Sequence, residues 1–383
     1  MDILFWLAII LLAVITAAWL EAAVGLRRMT ELGKVPALPV GIGPRVSVII
    51  PACNEARTIE PALASVLALD YENLEIIVVN DRSTDDTGAV LARLGQRHPR
   101  LQILTVTKLP DGWLGKSHAL QFGAGQASGD YLLFTDADIV MEKSVLARAM
   151  HHLLANRLDH LCMIFKNTAP GGLLNAMMLE LGGGLLLLFK PWKAKDPRSR
   201  FFMGVGAFNL VRAAAYREIG GHRAVAMHPI DDVMLGKALK NRGFRQECLL
   251  GHGFVSVPWY ATVRELIAGL MKNTFAAYQY RLSLVALGVF FLFLLGVLPV
   301  WALFFSSGTT RMLFAAAIGF RLLSFVHGFS RIGMPPWNAG FALLTPYLNI
   351  YIAIKAAYTT IRNKGITWRG THYPLDRLKG DML

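Results

Sequence analysis

Polar and apolar positions divide this chain into two regimes. Towards its ends, long apolar runs are free of charge: Ile3 to Leu20 lies between Asp2 and Glu21, Leu282 to Thr310 between Arg281 and Arg311, and Ile332 to Ile354 forms a third run. Each is near or above the roughly 20 residues that a membrane-spanning helix needs. Met312 to Phe329 is equally apolar apart from Arg321 and His327 and is read as a further span. The first run lacks a basic n-region and a small-residue cleavage site, so a retained anchor is expected rather than a signal peptide.

Between these runs the pattern shortens and alternates. Val46 to Ile50 is a continuous β-branched run, as expected for a strand covered on both faces and stopped by Pro51. Thr58 to Leu69 has helical spacing, and Leu74 to Val79 is a second strand running into Asn80-Asp81. Asp85-Asp86-Thr87 opens a helix through Ala89 to Leu94, Leu101 to Val106 is a third strand, Ser117 to Ala127 is helical, and Tyr131 to Phe134 is a strand that ends just before Asp136. This β-α-β-α-β succession predicts an α/β fold with crossover helices, whose ligands sit at the carboxyl ends of the strands.

The expected organisation is therefore an anchor over 1–22, a linker over 23–44 and a catalytic α/β domain over 45–260. An interfacial amphipathic helix over 261–281, with its periodic part at Val263 to Asn273, transmembrane helices over 282–361 and a basic tail over 362–383 complete it. Arg27, Arg28 and Lys34 beside the first run place the α/β domain on the cytoplasmic side. Gly171 to Lys190 is almost wholly apolar, yet a single crossing there would part the residues on either side of it. It is read as an interfacial segment, with a buried core helix as the alternative.

Charge refines this picture. The chain carries a formal +13, and Ala261 to Leu383, with twelve Lys/Arg against three Asp/Glu, holds +9 of it. A basic surface beside the membrane is attracted to anionic headgroups. No basic run with interleaved aromatics lies in the soluble part, which excludes a nucleic-acid partner from the expectations. Three scattered cysteines fit a reducing compartment without disulfides.

Candidate chemistry gathers at the strand ends. Asp136 and Asp138, at i and i+2, are expected to leave a strand on one side and to share either a divalent cation, Mg²⁺ or Mn²⁺, whose shell phosphate oxygens and water complete, or one cation and the sugar end of a nucleotide. Pro51, Asn54 and Glu55 follow the first strand, and Asp81 ends the second, where an acid can hold a nucleoside. Lys116 stands at a helix start, where a cation and free N–H groups meet a diphosphate. Turn and cap chemistry is the competing reading for each cluster. Asp231-Asp232 suits a first helical turn and also a general base. Phe201 to Leu210, rich in small residues, is either a close approach to a ligand or a tight turn. No Gly-x-Gly-x-x-Gly or Walker sequence is present, against a dinucleotide enzyme or an ATPase.

Taken in order, Val48 to Glu55, Val78 to Thr87, Gly129-Asp130 with Asp136-Ala137-Asp138, and Asp231-Asp232 resemble the successive motifs of glycosyltransferase family 2. The resemblance covers roughly Arg45 to Tyr260 and implies a GT-A fold, a Rossmann-like mixed sheet, with a nucleotide-diphosphate sugar donor and inverting transfer. By position it implies Asp81 at the nucleoside, Asp136 at the ribose or sugar, Asp138 at the metal and Asp232 as base. Asp231 stands where the family usually has Glu. The Gln-x-x-Arg-Trp sequence of polysaccharide synthases is missing. Thr367 to Tyr373, with Trp368 and Arg369, is instead similar to a segment of ceramide glucosyltransferases and bacterial lipid glycosyltransferases, although Thr371 replaces a second Arg. Asp111 to Lys116 resembles a stretch of carotenoid and hopanoid glycosyltransferases.

The resemblance thus implies a multi-pass membrane enzyme that transfers sugar from a UDP-sugar to a lipid hydroxyl, with no protein partner. A polyisoprenyl-phosphate glycosyltransferase, a polysaccharide synthase and a non-catalytic membrane sugar-nucleotide-binding protein are the alternatives. Three full spans after the domain would put the basic tail outside, against the positive-inside rule. Either one run, Met312 to Phe329 or the run containing Pro346, is re-entrant, or the tail does not meet the active site.

Overall fold

The computed structural model describes residues 3–39, 41–368 and 371–380. The chain forms two compact units. One takes the chain up to Arg27, Ala169–Leu188 and everything from Trp259 onward; the other is Arg28–Thr168 with Phe189–Pro258.

The second unit is built on strands β1 (Val46–Ala52), β2 (Leu74–Asp81), β3 (Leu101–Val106), β4 (Tyr131–Phe134), β5 (Val140–Met141), β6 (His160–Ile164), β7 (Lys166–Asn167), β8 (Asn209–Arg212), β9 (Gln246–Leu250) and β10 (Val255–Val257). Seven of them form one sheet in the order β3-β2-β1-β4-β8-β6-β9. β1 pairs in parallel with β2 and β4, and β2 with β3, as the alternating pattern expects. β8 runs antiparallel to both β4 and β6, so the sheet is mixed. Its centre is dry, because Val48, Ile49, Ile77, Val78, Val79 and Leu133 are fully buried between the covering helices. β5, β10 and β7 make a second, three-stranded sheet.

Pro51 does not stop β1, contrary to expectation: it pairs with Val79, and the strand continues to Ala52. The Ile49 carbonyl accepts from Thr135 on the β4 side. Pro51 faces that same side two residues on, where the β1–β4 pairing has already ended at Ile49 and Phe134. Its missing N–H therefore removes no ladder bond.

Two boundaries also differ from expectation. The N-terminal helix runs Ile3–Arg27, past residue 22. The supposed linker that follows is packed onto the sheet unit: Leu32 is fully buried, Met29 and Val35 are buried with it, and the Thr30 carbonyl accepts from Leu250 N–H at 2.9 Å. Apolar residues at three-residue spacing give this stretch a face to bury, which its Pro/Gly content obscured.

The first unit is helical. Among the described residues, four helical segments are long and apolar enough to cross a membrane: Ile3–Arg27, Gly172–Lys193 (whose last residues belong to the sheet unit), Leu282–Phe305 and Gly308–Arg331. Their length and exposed residues such as Trp6, Ile10, Phe290, Phe304 and Met312 are those of membrane-associated segments. Leu282–Leu292 passes through a π-helical turn, Phe293–Val297, into Leu298–Phe305. The run containing Pro346 is broken: Pro336–Leu343 meets Thr345–Arg362 at 49°. The expected amphipathic helix is Val263–Ala277; Thr262 Oγ1 caps it by accepting from Glu265 N–H at 3.1 Å, and Glu265 accepts in return from Ala261 N–H at 3.0 Å. The apolar segment after Ala169 is a single helix, Gly172–Phe189, whose first half buries Leu174, Ala176, Met177 and Met178 within this unit, as a core helix does.

Candidate active site

β4 stops at Phe134, so Asp136 and Asp138 do not leave a strand side by side as expected; they sit in the turn between β4 and β5. Lys116, in the first turn of helix Gly115–Gln126, reaches across to them. Its Nζ lies 2.6 Å from Asp136 Oδ1 and 3.9 Å from Asp231 Oδ1. Asp231 and Asp232 open helix Asp231–Asn241. Asp232 Oδ2 accepts the Gly206 N–H at 2.6 Å, and Oδ1 accepts the Val233 N–H at 2.9 Å.

Gly206 is the point of convergence. A Cβ placed there would lie 2.9 Å from Asp136 Oδ2, 3.2 Å from Lys116 Nζ and 3.3 Å from Asp232 Oδ2. Three residues distant in sequence thus meet at one backbone position, and only glycine leaves room for them. In the loop of Phe201 to Leu210 the close neighbours of Gly206 are thus the protein's own side chains, and Thr135 Oγ1 secures the loop by donating to the Ala207 carbonyl at 2.8 Å.

The charges here perturb one another. Burial works against the Lys116 ammonium, but Asp136, Asp231 and Asp232 hold it charged, well above the ordinary lysine range. Burial pushes the Asp231 carboxyl up to about 6, helped by Asp232 and Asp136 and opposed by Lys116. Asp232 is raised by burial and by Asp136 against the same pull. Asp138 is pushed up to about 7 by burial and by the charges of Asp136 and Glu55. Lys116 pulls it the other way without offsetting the burial.

Of the remaining predicted residues, Pro51, Asn54, Glu55 and Asp81 lie along or just after β1 and β2. Asn54 and Arg82, at the ends of β1 and β2, both adopt left-handed backbone conformations, φ +56° and +54°. Asn54 Oδ1 accepts from Thr84 N–H at 2.8 Å and Asp85 N–H at 3.3 Å, while Thr87 Oγ1 accepts from Glu55 N–H at 2.8 Å. The Glu55 carboxylate accepts from Thr58 Oγ1 at 2.8 Å. Asn54 and Glu55 therefore brace the two strand-end loops against each other, the turn chemistry weighed above. Asp81, 3% exposed, is gripped by Arg82 through Nε and Nη2 at 2.7 and 2.9 Å. Pro51 lies within β1. Trp368 is on the other unit, on a hairpin of Gly365–Trp368 with Thr371–Pro374, and Arg369 lies outside the described residues.

His222 was not legible in the sequence. It is buried with its Nε2 3.9 Å from Asp231 Oδ2, its Nδ1 2.8 Å from the Tyr216 hydroxyl, and its ring edge-on to Phe134 at 4.7 Å. Burial, and then Lys116, push its pKa down to about 3, so it stays neutral beside the acids.

Among the described residues no three His, Cys, Asp or Glu side chains stand close enough to hold a metal by themselves. Asp138 with Asp136 offers the one or two carboxylates that Mg²⁺ or Mn²⁺ takes when phosphate oxygens and water fill the rest of its shell.

Residues 47–220 match the model of Glycosyl transferase family 2. Over 102 residues the chain is 40% identical to the probable glycosyltransferase YdaM of Bacillus subtilis, covering 26% of this chain and 24% of that protein. Over 248 residues it is 27% identical to the 4,4'-diaponeurosporenoate glycosyltransferase of Staphylococcus haemolyticus, covering 60% of each. The chain thus spans less than two thirds of either relative. Its fold is similar to that of the mannosyltransferase PcManGT of Pyrobaculum calidifontis, solved with GDP-Man and Mn²⁺, with a TM-score of 0.54, 20% identity and coverage of 94% of this chain and 100% of that one.

Proposed function

We propose that the chain, whose residues 47–220 match the family 2 glycosyl transferase model and whose fold is similar to that of a mannosyltransferase, is a membrane-bound inverting glycosyltransferase on a GT-A fold. It transfers one sugar from a nucleotide-diphosphate sugar, a UDP-sugar, to a hydroxyl of a lipid acceptor. The convergence of Asp136, Lys116 and Asp232 on Gly206 carries this reading.

Asp232 accepts the proton of the acceptor hydroxyl as its oxygen attacks the anomeric carbon, and a single displacement with one base inverts that carbon. The Gly206 N–H fixes the direction in which the Asp232 carboxylate presents itself. The raised pKa of Asp232 makes it a stronger proton acceptor than a free aspartate. Lys116 balances the charge of Asp136 and Asp231, so that three acids share one site. Asp81 and the loop braced by Asn54 form the nucleoside end, and Asp231 supports its neighbour. A divalent cation held by Asp138 and Asp136 supplies charge to the leaving diphosphate when bound.

The lipid acceptor is supported by the apolar unit and by the likeness to a carotenoid glycosyltransferase. Trp368 and Arg369 are proposed to act near the membrane surface. The sheet unit faces the cytoplasm in this reading. Gly172–Phe189 is proposed not to cross, a reading supported by Thr168 before it and Lys190 after it belonging to the same compact unit. If the bent pair Pro336–Leu343 and Thr345–Arg362 is re-entrant, the basic tail ends on the cytoplasmic side, as the positive-inside rule asks.

The test is transfer itself: purified protein in detergent with Mg²⁺ or Mn²⁺, each UDP-sugar in turn and a bacterial lipid extract, read by mass spectrometry. A lipid that gains one sugar mass, and loses that gain with EDTA, supports the proposal. A folded protein that neither transfers sugar nor binds any UDP-sugar contradicts it.

A further inference from the structure

In the helical unit, Arg321 on helix Gly308–Arg331 donates to Glu180 on helix Gly172–Phe189, Nη2 to Oε1 at 2.6 Å, with the two side chains 15% and 16% exposed. Arg321 also donates from Nε and Nη2 to the Ala342 carbonyl, at 3.2 and 3.1 Å, and from Nη2 to Thr345 Oγ1 at 3.3 Å. Charged residues among apolar helices are costly and persist when paired and when they serve a ligand.

The pair leaves something over. Glu180 Oε2 is buried with no hydrogen-bond partner among the described residues, and so is Asn349 Oδ1. Asn349 is 8% exposed and lies one turn beyond Thr345 on helix Thr345–Arg362, hence on the face that Arg321 touches. Both unpaired atoms are acceptors, while the donor bonds of Arg321 go to Glu180, Ala342 and Thr345. Against this cluster lies the π-helical turn Phe293–Val297; a Cβ on its Gly296 would meet Pro346 and come within 4.0 Å of Arg321 Nη2. Single π turns inside long helices occur frequently at functional sites.

We propose that Glu180, Arg321 and Asn349 form a binding site for the hydroxyl group of an apolar, lipid-type ligand. The hydroxyl donates to Glu180 Oε2 or Asn349 Oδ1. A second anion is disfavoured, because the guanidinium is already matched by Glu180, and a cation is disfavoured because Arg321 already neutralises that carboxylate. The chain around the site is apolar: Ala176, Phe325, Phe329 and Ala342 form one buried cluster beside it. That this ligand is the acceptor of the proposed transfer rests on the reading above; the site itself does not.

The test uses the full chain in an amine-oxide detergent, which carries no hydroxyl, with dodecan-1-ol and its methyl ether as probes and native mass spectrometry as readout. The alcohol should be retained about tenfold better than the ether, as one buried hydrogen bond to a charged acceptor implies. Asn349→Leu should erase most of that preference. So should the double change Glu180→Leu with Arg321→Leu, which removes both members of the pair and leaves no lone charge behind. Equal retention of alcohol and ether by the unaltered chain overturns the proposal, as does a preference that survives in both variants; loss in one variant alone identifies the acceptor and supports it. No sugar donor enters this experiment, so failure of sugar transfer and failure of hydroxyl binding are separate results.

Discussion

Lys116 Nζ and Asp136 Oδ1 stand 2.6 Å apart, joining the start of helix Gly115–Gln126 to the turn after β4. That contact places one cation among three carboxylates, and the ionisation of the whole site depends on it. Lys116→Met should raise the pKa of Asp232 further, since burial would then be opposed only by the Val233 and Gly206 N–H groups. The acid limb of the pH dependence of kcat/KM should move to higher pH by about one unit, the equivalent of roughly 1.4 kcal/mol. Lys116→Arg should restore part of the shift. An unchanged pH profile in the Met variant would show that Lys116 does not set the charge of the base.

Gly206→Ala tests the convergence. The added methyl would stand 2.9 to 3.3 Å from Asp136, Lys116 and Asp232. Those side chains must move, and displacing a base by a fraction of an ångström to one ångström costs on the order of 100-fold in rate. The expected result is a fall in kcat of about that size with the midpoint of thermal unfolding little changed. Measured kcat within about twofold of the unaltered chain would mean that the loop does not position Asp232.

Asp138 predicts two opposite pH effects. Its folded-state pKa of about 7 lies above the unfolded value of roughly 3.9. The native chain therefore binds this proton more tightly than the unfolded chain does, so the contribution to stability is complete below about pH 4 and is lost as pH rises towards 7. The cation requires the deprotonated form, so cation affinity should fall by up to about tenfold per pH unit below 7. Thermal melts from pH 4 to 8, with and without Mn²⁺, read both effects. Asp138→Asn should flatten both. A melting midpoint that does not fall with pH in the metal-free protein, or that is unaltered in this respect by Asp138→Asn, contradicts the assignment.

Leu32→Ala tests the packed N-terminal stretch. Leu32 is fully buried on the sheet unit, and deleting a buried leucine side chain costs about 2 to 5 kcal/mol. Urea unfolding followed by the fluorescence of Trp113 and Trp192, both in that unit, should shift to lower denaturant accordingly. A change under about 0.5 kcal/mol would return residues 28–44 to the role of a free linker.

How much of this was legible depended on whether a feature is local. The strands β1 to β4 and the helices between them were visible because β-branched runs and helical spacing are written within a dozen residues. β6, β8 and β9 were not, since their pairing joins segments far apart, with the apolar excursion Gly172–Phe189 between β6 and β8. Asp136, Asp138, Asp231 and Asp232 stood out as acids at expected element ends. The Lys116–Asp136 contact and the neighbourhood of Gly206 are products of tertiary folding and carry no mark in the sequence. His222 carried none either, because a lone histidine after two glycines has no spacing to announce it. The apolar runs gave the helices of the other unit, while the 49° break before Thr345 had only Pro346 as its sign.

The measurement closest to the central claim separates the base from donor binding. Asp232→Asn keeps the shape and, with its one amide oxygen, an acceptor for Gly206 at the cost of the Val233 N–H bond, but cannot take a proton. Sugar transfer to the lipid should fall by at least about 100-fold, the lower part of the range for a general base, while the affinity for UDP in the presence of Mn²⁺ stays within about threefold. Near-normal transfer by Asp232→Asn would contradict base catalysis at this residue and favour a phosphate acceptor, whose oxygen attacks without giving up a proton.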